Sequence, residues 1–163
     1  MKKNFIFPVM LVCLLALGFL FAGCGDDDEG NGTFTLTNIP SEYEGKYVSL
    51  RAANNHVFLM GASSFNMSVM TATFPPISNR SVTVPMWLFN SQTDYKRYSG
   101  SHTVMVTLAF LKDPVNDMDS SGYPVLDENE IVTWVDFETV SFSNGSASRS
   151  FANADYVGVT GGD

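Results

Sequence analysis

Val140-Ser141-Phe142-Ser143-Asn144-Gly145-Ser146-Ala147-Ser148-Arg149-Ser150-Phe151 carries the clearest structural signal in this chain. Both central positions of a type I′ turn need positive φ, which Asn and Gly tolerate best, and the residues on either side of the pair alternate. The stretch predicts a β-hairpin, and with it an all-β domain.

Outward from that turn, the period of two recurs. Thr33-Phe34-Thr35-Leu36-Thr37 alternates and stops before Pro40. Across 46–53, Val48, Leu50 and Ala52 share one face, with Tyr47, Ser49 and Arg51 on the other. Asn54-Asn55 marks a turn, 57–62 resumes, and 67–74 runs to a break at Pro75-Pro76. In 80–90, Val82, Val84, Met86 and Leu88 share a face, and Pro85 predicts an edge strand or a bulge. Segment 102–111 sets Val104, Val106, Leu108 and Phe110 against Thr103, Met105, Thr107 and Ala109, and 131–140 follows. No stretch shows a sustained amphipathic helix. Seven to nine short strands in about 120 residues predict an antiparallel two-sheet β-sandwich, Ig-like or transthyretin-like, with a closed barrel as the competing architecture. The sandwich domain is expected over 33–152, followed by a tail, 153–163, in which Tyr156-Val157 can add a short edge strand.

The N-terminus reads as an address. Met1-Lys2-Lys3-Asn4 is a short positive region, and Phe5 to Phe21 is apolar, interrupted by Pro8 and Gly18. Ala22-Gly23 then stands immediately before Cys24. This order fits a bacterial lipoprotein signal peptide over 1–23, with the thiol of Cys24 as the attachment point for diacylglycerol and further palmitate-type chains. An uncleaved transmembrane anchor is the competing reading of the apolar run. Residues 24–32 form the lipidated cysteine and an acidic linker, whose eight residues from Gly25 to Gly32 reach on the order of 15 Å. The only other cysteine, Cys13, lies in the signal, so the mature domain has no thiol for a disulfide, a nucleophile or a zinc site. Loss of Lys2 and Lys3 leaves seven basic residues against seventeen acidic ones, a net charge of −10. That balance argues against nucleic acid as a partner.

Catalytic motifs are missing. There is no Gly-x-Ser-x-Gly, no His-Glu-x-x-His and no phosphate-binding glycine loop. Ser101 and His102 are adjacent, so on a strand they point to opposite faces. One loop has the pattern of a calcium site: Asp117, Asp119 and Ser121 supply oxygens at positions one, three and five, Gly122 is at six, the Tyr123 carbonyl at seven and Glu128 at twelve. Pro124 at position eight and strand-like flanks argue against it, and a solvated hairpin loop is the alternative. His56 and His102 have no His-x-His or His-x₃-His spacing; with Met60, Met67, Met70 and Met105 they could form a copper-binding cluster, against which the methionines read as gap-fillers of a β core. Aromatics are the better binding clue: Trp87, Trp134, Tyr95 and Tyr98 are candidate stacking platforms for a sugar ring or a protein partner, unless they cover the core or its edges. Trp134 shares its face with Asp136 and Glu138.

Several strand motifs together resemble small lipoprotein domains of treponeme-like spirochaetes. They are Phe34-Thr35-Leu36-Thr37-Asn38-Ile39-Pro40 with Glu42-Tyr43-Glu44-Gly45-Lys46-Tyr47-Val48, then Ser81-Val82-Thr83-Val84-Pro85-Met86-Trp87, Arg97-Tyr98-Ser99-Gly100-Ser101 and Val140 to Ala147. The resemblance covers Thr33 to Phe151 and implies an address and a β-fold, with no activity to carry over. The expectation is a lipid-anchored, extracytoplasmic, non-catalytic module with no cofactor. It is held to a bacterial membrane by lipid and meets a protein or glycan at the cell envelope. A carbohydrate- or calcium-binding lipoprotein is the alternative, and a hydrolase a more distant one.

Overall fold

The computed structural model describes residues 31–89, 95–115, 117–120 and 123–159. The expected signal segment, Cys24 and most of the expected acidic linker lie outside them. Among the described residues no helix is long and apolar enough to cross a membrane.

Most of the strands fall where alternation places them, while Ser64–Asn66 and Lys96–Arg97 lie outside the expected segments. In chain order the strands are β1 (Thr33–Thr37), β2 (Tyr47–Ala53), β3 (Phe58–Gly61), β4 (Ser64–Asn66), β5 (Thr71–Thr73), β6 (Val82–Leu88), β7 (Lys96–Arg97), β8 (Thr103–Leu111), β9 (Ile131–Ser141), β10 (Ser146–Ser150) and β11 (Tyr156–Gly158). Nine of them form one curled sheet in the order β10-β1-β6-β3-β2-β8-β9-β11, with β7 beside β6, and β4 and β5 make a small second sheet. The all-β expectation is met.

The inner face of the curl is the core. Phe34, Leu36, Val48, Leu50, Val84, Val106, Leu108, Phe110, Val135 and Phe137 are all buried there. Complete burial of each large apolar side chain contributes about 1.5–3 kcal/mol. The ring centroids of Phe34 on β1 and Phe137 on β9 lie 6.1 Å apart, so opposite sides of the curl meet in the middle.

The Asn144-Gly145 turn forms as its sequence requires. Asn144 has φ 49° and Gly145 φ 81°, and Ser143 and Ser146 exchange backbone hydrogen bonds of 2.9 and 3.0 Å. The hairpin, however, ends at that single bridge, which corrects the expectation. β10 leaves β9 and runs parallel to β1, pairing Thr33 with Ser146 through to Thr37 with Ser150. The physical reason is that β1, paired with β6 on its other side, has a second row of N–H and C=O groups that needs partners. The same turn receives the end of the linker: Ser146 Oγ donates to the Asn31 carbonyl at 3.0 Å, and Thr33 N–H donates to the Gly145 carbonyl at 3.1 Å.

Two further expectations are corrected, and a third is met. Pro85 does not make β6 an edge strand, because β6 has neighbours on both sides. Residues up to Pro85 pair with β1, and Met86 to Leu88 pair with β3. Pro85 sits just past the end of the β3 ladder, where its carbonyl accepts the Ala62 N–H and no donor is needed from it. The segment 67–74 is not one strand: Met67 to Met70 is the tip of the β4–β5 hairpin, with Met70 at φ 50°. The short edge strand expected at Tyr156-Val157 forms as β11, paired with β9 from Trp134 to Asp136.

Candidate functional site: an acidic, aromatic groove on the outer sheet face

The outer face of the curled sheet is divided. Over β3 and β6 it is covered by a second core, in which Met60, Ala62, Ala72 and Phe74 are buried and Phe58, Phe65, Trp87, Val115 and Met118 pack against them. The cover comes from β4–β5 and from Val115 and Met118. Phe65 and Tyr95 lie 4.0 Å apart between ring centroids, and Phe89 joins Tyr95 at 5.1 Å and Tyr123 at 5.2 Å. Burial, and secondarily the negative charge of Asp119 and the neighbouring Tyr123, raise the pKa of Tyr95 above the ordinary tyrosine value.

Over β2, β8 and β9 the same face is open. A groove of about 740 Å³ runs there, lined by Arg51 and Ala53 from β2, Met105 and Thr107 from β8, and Trp134, Asp136 and Glu138 from β9, with Phe58, Asp155 and Tyr156 at its ends. Register explains the grouping: Arg51 opposes Thr107, Thr107 opposes Asp136, and Asp136 opposes Tyr156, so four strands contribute one transverse row. Register shifts along β9 at the groove: Val104 pairs with Val140 while Val106 pairs with Phe137. Met105 therefore faces both Glu138 and Thr139 across a bulge, a device that re-aims side chains where a sheet meets a ligand.

Charge in the groove is lopsided. Asp136, Glu138 and Asp155 stand against one cation, Arg51. The Arg51 Nη2 donates to the Pro124 carbonyl at 3.1 Å, and its guanidinium lies 5.4 Å from the Tyr123 ring centroid. That cation is thus turned toward the 123–125 segment. Asp155 Oδ2 accepts the Glu138 backbone N–H at 2.8 Å. Asp136 Oδ1 is shut off from solvent and accepts no hydrogen bond among the described residues. A narrower polar slit adjoins the groove between β9 and β10, where Arg149 Nη2 reaches across to the Thr139 carbonyl at 3.1 Å.

The residues singled out by sequence scatter. Trp134, half-buried, is in the groove with Asp136 and Glu138 on the same face, as alternation indicates. Trp87 belongs to the second core: its indole N–H donates to the Ala62 carbonyl at 2.9 Å, and Arg97 stacks on the ring at 5.1 Å. Tyr95 is half-buried in the aromatic cover. Tyr98 is 4% exposed, packed against Phe142 at 6.0 Å in the main core, with no partner for its hydroxyl among the described residues. It is a core residue and not a stacking platform, since β7 turns it inward. Burial raises its pKa.

In the acidic loop, Met118 bridges Pro124, Asp119 N–H donates to the Tyr123 carbonyl at 2.8 Å, and Asp119 Oδ1 accepts the Tyr123 N–H at 2.9 Å. Asp117 accepts through its carbonyl from Val125, and Glu128 sits in the separate turn that leads into β9. Ser121 lies outside the described residues. No three His, Cys, Asp or Glu side chains among the described residues gather closely enough to hold a metal ion.

Sequence reasoning found the right face of β9 and missed its companions Arg51, Met105 and Tyr156. The usable signal was present, because Arg51, Met105 and Thr107 all fall on outward positions of their strands. Comparison with protein-family models, with curated proteins and with solved structures finds no match to this chain.

Proposed function

We propose that this chain is a lipid-anchored, extracytoplasmic bacterial lipoprotein that binds a partner at the cell envelope, without catalysis, through the groove over β2, β8 and β9. The observation that carries the reading is the groove itself: an open, largely apolar channel with Trp134 and Tyr156 in its lining and carboxylates beside them. Binding channels are concave, mostly apolar, and carry a few placed polar groups. His56 and His102 lie outside the groove, and no serine or cysteine lines it, so it holds no Ser–His or Cys–His pair. The signal-like N-terminus and Cys24 support the address, together with the resemblance to spirochaetal lipoprotein domains. In this reading the curl is a two-layered sandwich, with β10, β1 and part of β6 as one layer and β3, β2, β8, β9 and β11 as the other. The Phe34–Phe137 contact supports that layering.

Carbohydrate binding is a second reading, favoured by the half-buried Trp134 beside Tyr156, since aromatic faces stack on sugar rings. A photo-crosslinking residue placed at Met105 tests groove binding in intact cells. Val125 is the matched control, because Met105 is 54% and Val125 52% exposed. Adducts of defined mass at Met105, absent at Val125 and lost with Trp134→Ala, are expected. Equal yields at the two positions overturn the reading. Metabolic labelling with an acyl precursor tests the anchor, and label retained by Cys24→Ser refutes it.

A further inference from the structure

We propose that the occupant of the groove is an extended basic polypeptide segment carrying Lys or Arg at alternate positions. This rests on the groove being the binding site. The first argument is spacing. Asp136 and Glu138 leave the same face of β9, and side chains two apart on a strand repeat at about 6.4–6.8 Å. Alternate side chains of an extended peptide repeat at the same distance, so cations at positions i and i+2 can meet both carboxylates at once.

The second argument is dispersal. The carboxylates of Asp136, Glu138 and Asp155 line one groove, yet no three such groups gather around a point. A single metal ion needs convergence of its oxygens, whereas a row of cations needs them spread along a wall.

The third argument is complementarity of charge and shape. Arg51 is turned toward Pro124 and Tyr123, and Asp136 Oδ1 accepts no hydrogen bond among the described residues. Arg149, in the slit beside Glu138 and Asp155, is engaged by the Ser148 and Thr139 carbonyls. Among the described residues lining the groove the carboxylates therefore outnumber the cations three to one. Met105, Trp134 and Tyr156 offer apolar surface to the methylene stems of Lys or Arg, and the aromatic faces attract the charged ends. A neutral saccharide would stack on the rings but leave that negative charge uncompensated.

Fluorescence anisotropy on the full chain in non-ionic detergent micelles tests this, with a labelled nonapeptide of alternating Lys and Thr as the probe. Saturable, salt-sensitive binding is expected, with none for the same peptide carrying Glu in place of Lys. Asp136→Asn should weaken it at least fivefold and Glu138→Gln at least threefold, the latter at an exposed position where folding is not at risk. Asp113→Asn makes the same charge change at an exposed residue beyond the far end of β8 and should leave affinity within twofold. Equal weakening by Asp113→Asn and Asp136→Asn would show diffuse charge attraction and overturn the proposal, as would the absence of peptide binding. A neutral β-linked hexasaccharide is the parallel arm. If it binds, is lost with Trp134→Ala, and the peptide does not bind, the basic occupant is refuted while the groove stands. If neither ligand binds and Met105 gives no adducts, the groove reading falls as well.

Discussion

Gly145→Ala is expected to destabilise the domain far more than Gly45→Ala, although the two glycines have nearly the same backbone conformation. Gly45 has φ 77° and Gly145 φ 81°, both in the left-handed region. That conformation costs a residue with a Cβ about 1–2 kcal/mol. At Gly45 this is the whole effect, because a Cβ there would meet nothing within 4 Å. At Gly145 the added Cβ would lie 2.4 Å from the Tyr98 carbonyl oxygen and 2.9 Å from the Ser99 Cα, both backbone atoms. Relieving that overlap requires the chain to move, at about 1–3 kcal/mol. Moving it also loosens the hydrogen bond from Thr33 to the Gly145 carbonyl, worth about 1 kcal/mol. The totals are about 1–2 kcal/mol for Gly45→Ala and about 3–6 kcal/mol for Gly145→Ala. Urea unfolding followed by circular dichroism measures the difference. With an m-value of about 1.5 kcal/mol/M, the two midpoints should differ by more than ~1 M, provided both variants keep that slope. Midpoints that coincide within error would refute the claim that the turn is wedged against the Tyr98–Ser99 backbone.

Other outcomes follow from buried polar groups. Tyr98→Phe removes a hydroxyl that has no partner among the described residues and should leave stability unchanged or raise it by about 1 kcal/mol. Because burial raises the pKa of Tyr98, the unfolded chain releases this proton first, from about pH 10 upward. Stability should therefore fall as pH rises from there through the folded pKa, and fall less in Tyr98→Phe when melting temperatures are compared across that range. Trp87→Phe deletes the indole donor to the Ala62 carbonyl and should cost about 1–3 kcal/mol, measured by urea unfolding, because that acceptor is left buried. Calcium at millimolar concentration should shift the melting temperature by less than about 1 °C, since the Asp119 carboxylate is already engaged by the Tyr123 N–H. A saturable rise that vanishes in Glu128→Ala would reinstate a metal site.

The alternation of single strands was readable because it is a local property, set by which side chains face the core. Val48, Leu50 and Ala52 and the Val104–Phe110 row are buried as their spacing indicates. Partner choice was not readable. Ser146 to Ser150 carries one apolar residue, Ala147, so nothing in it distinguishes antiparallel pairing with β9 from parallel pairing with β1. Tyr98 was hidden for a related reason: two residues of β7 are too short to show a period, yet they turn the ring inward. The second core also escaped notice, because the aromatic cover is drawn from segments far apart in sequence, Phe65, Phe89, Tyr95 and Tyr123. The groove was half legible. The face of β9 follows from its sequence, but the row from Arg51 through Thr107 and Asp136 to Tyr156 depends on register across four strands.

The placement of β1 has a consequence in time. It is the first strand of the domain, yet one of its two neighbours, β10, lies more than a hundred residues later. Its register with β10 and the linker's contact with Ser146 form only when the two ends of the domain meet. Loop closure over such a span is slow compared with local hairpin formation. A chain made N-terminus first must hold Phe34 and Leu36 unpaired on that side until Ser150 has emerged. The nascent domain therefore passes through a stage with an open strand edge at its N-terminal end. Any chaperone that recognises extended apolar segments would meet it there.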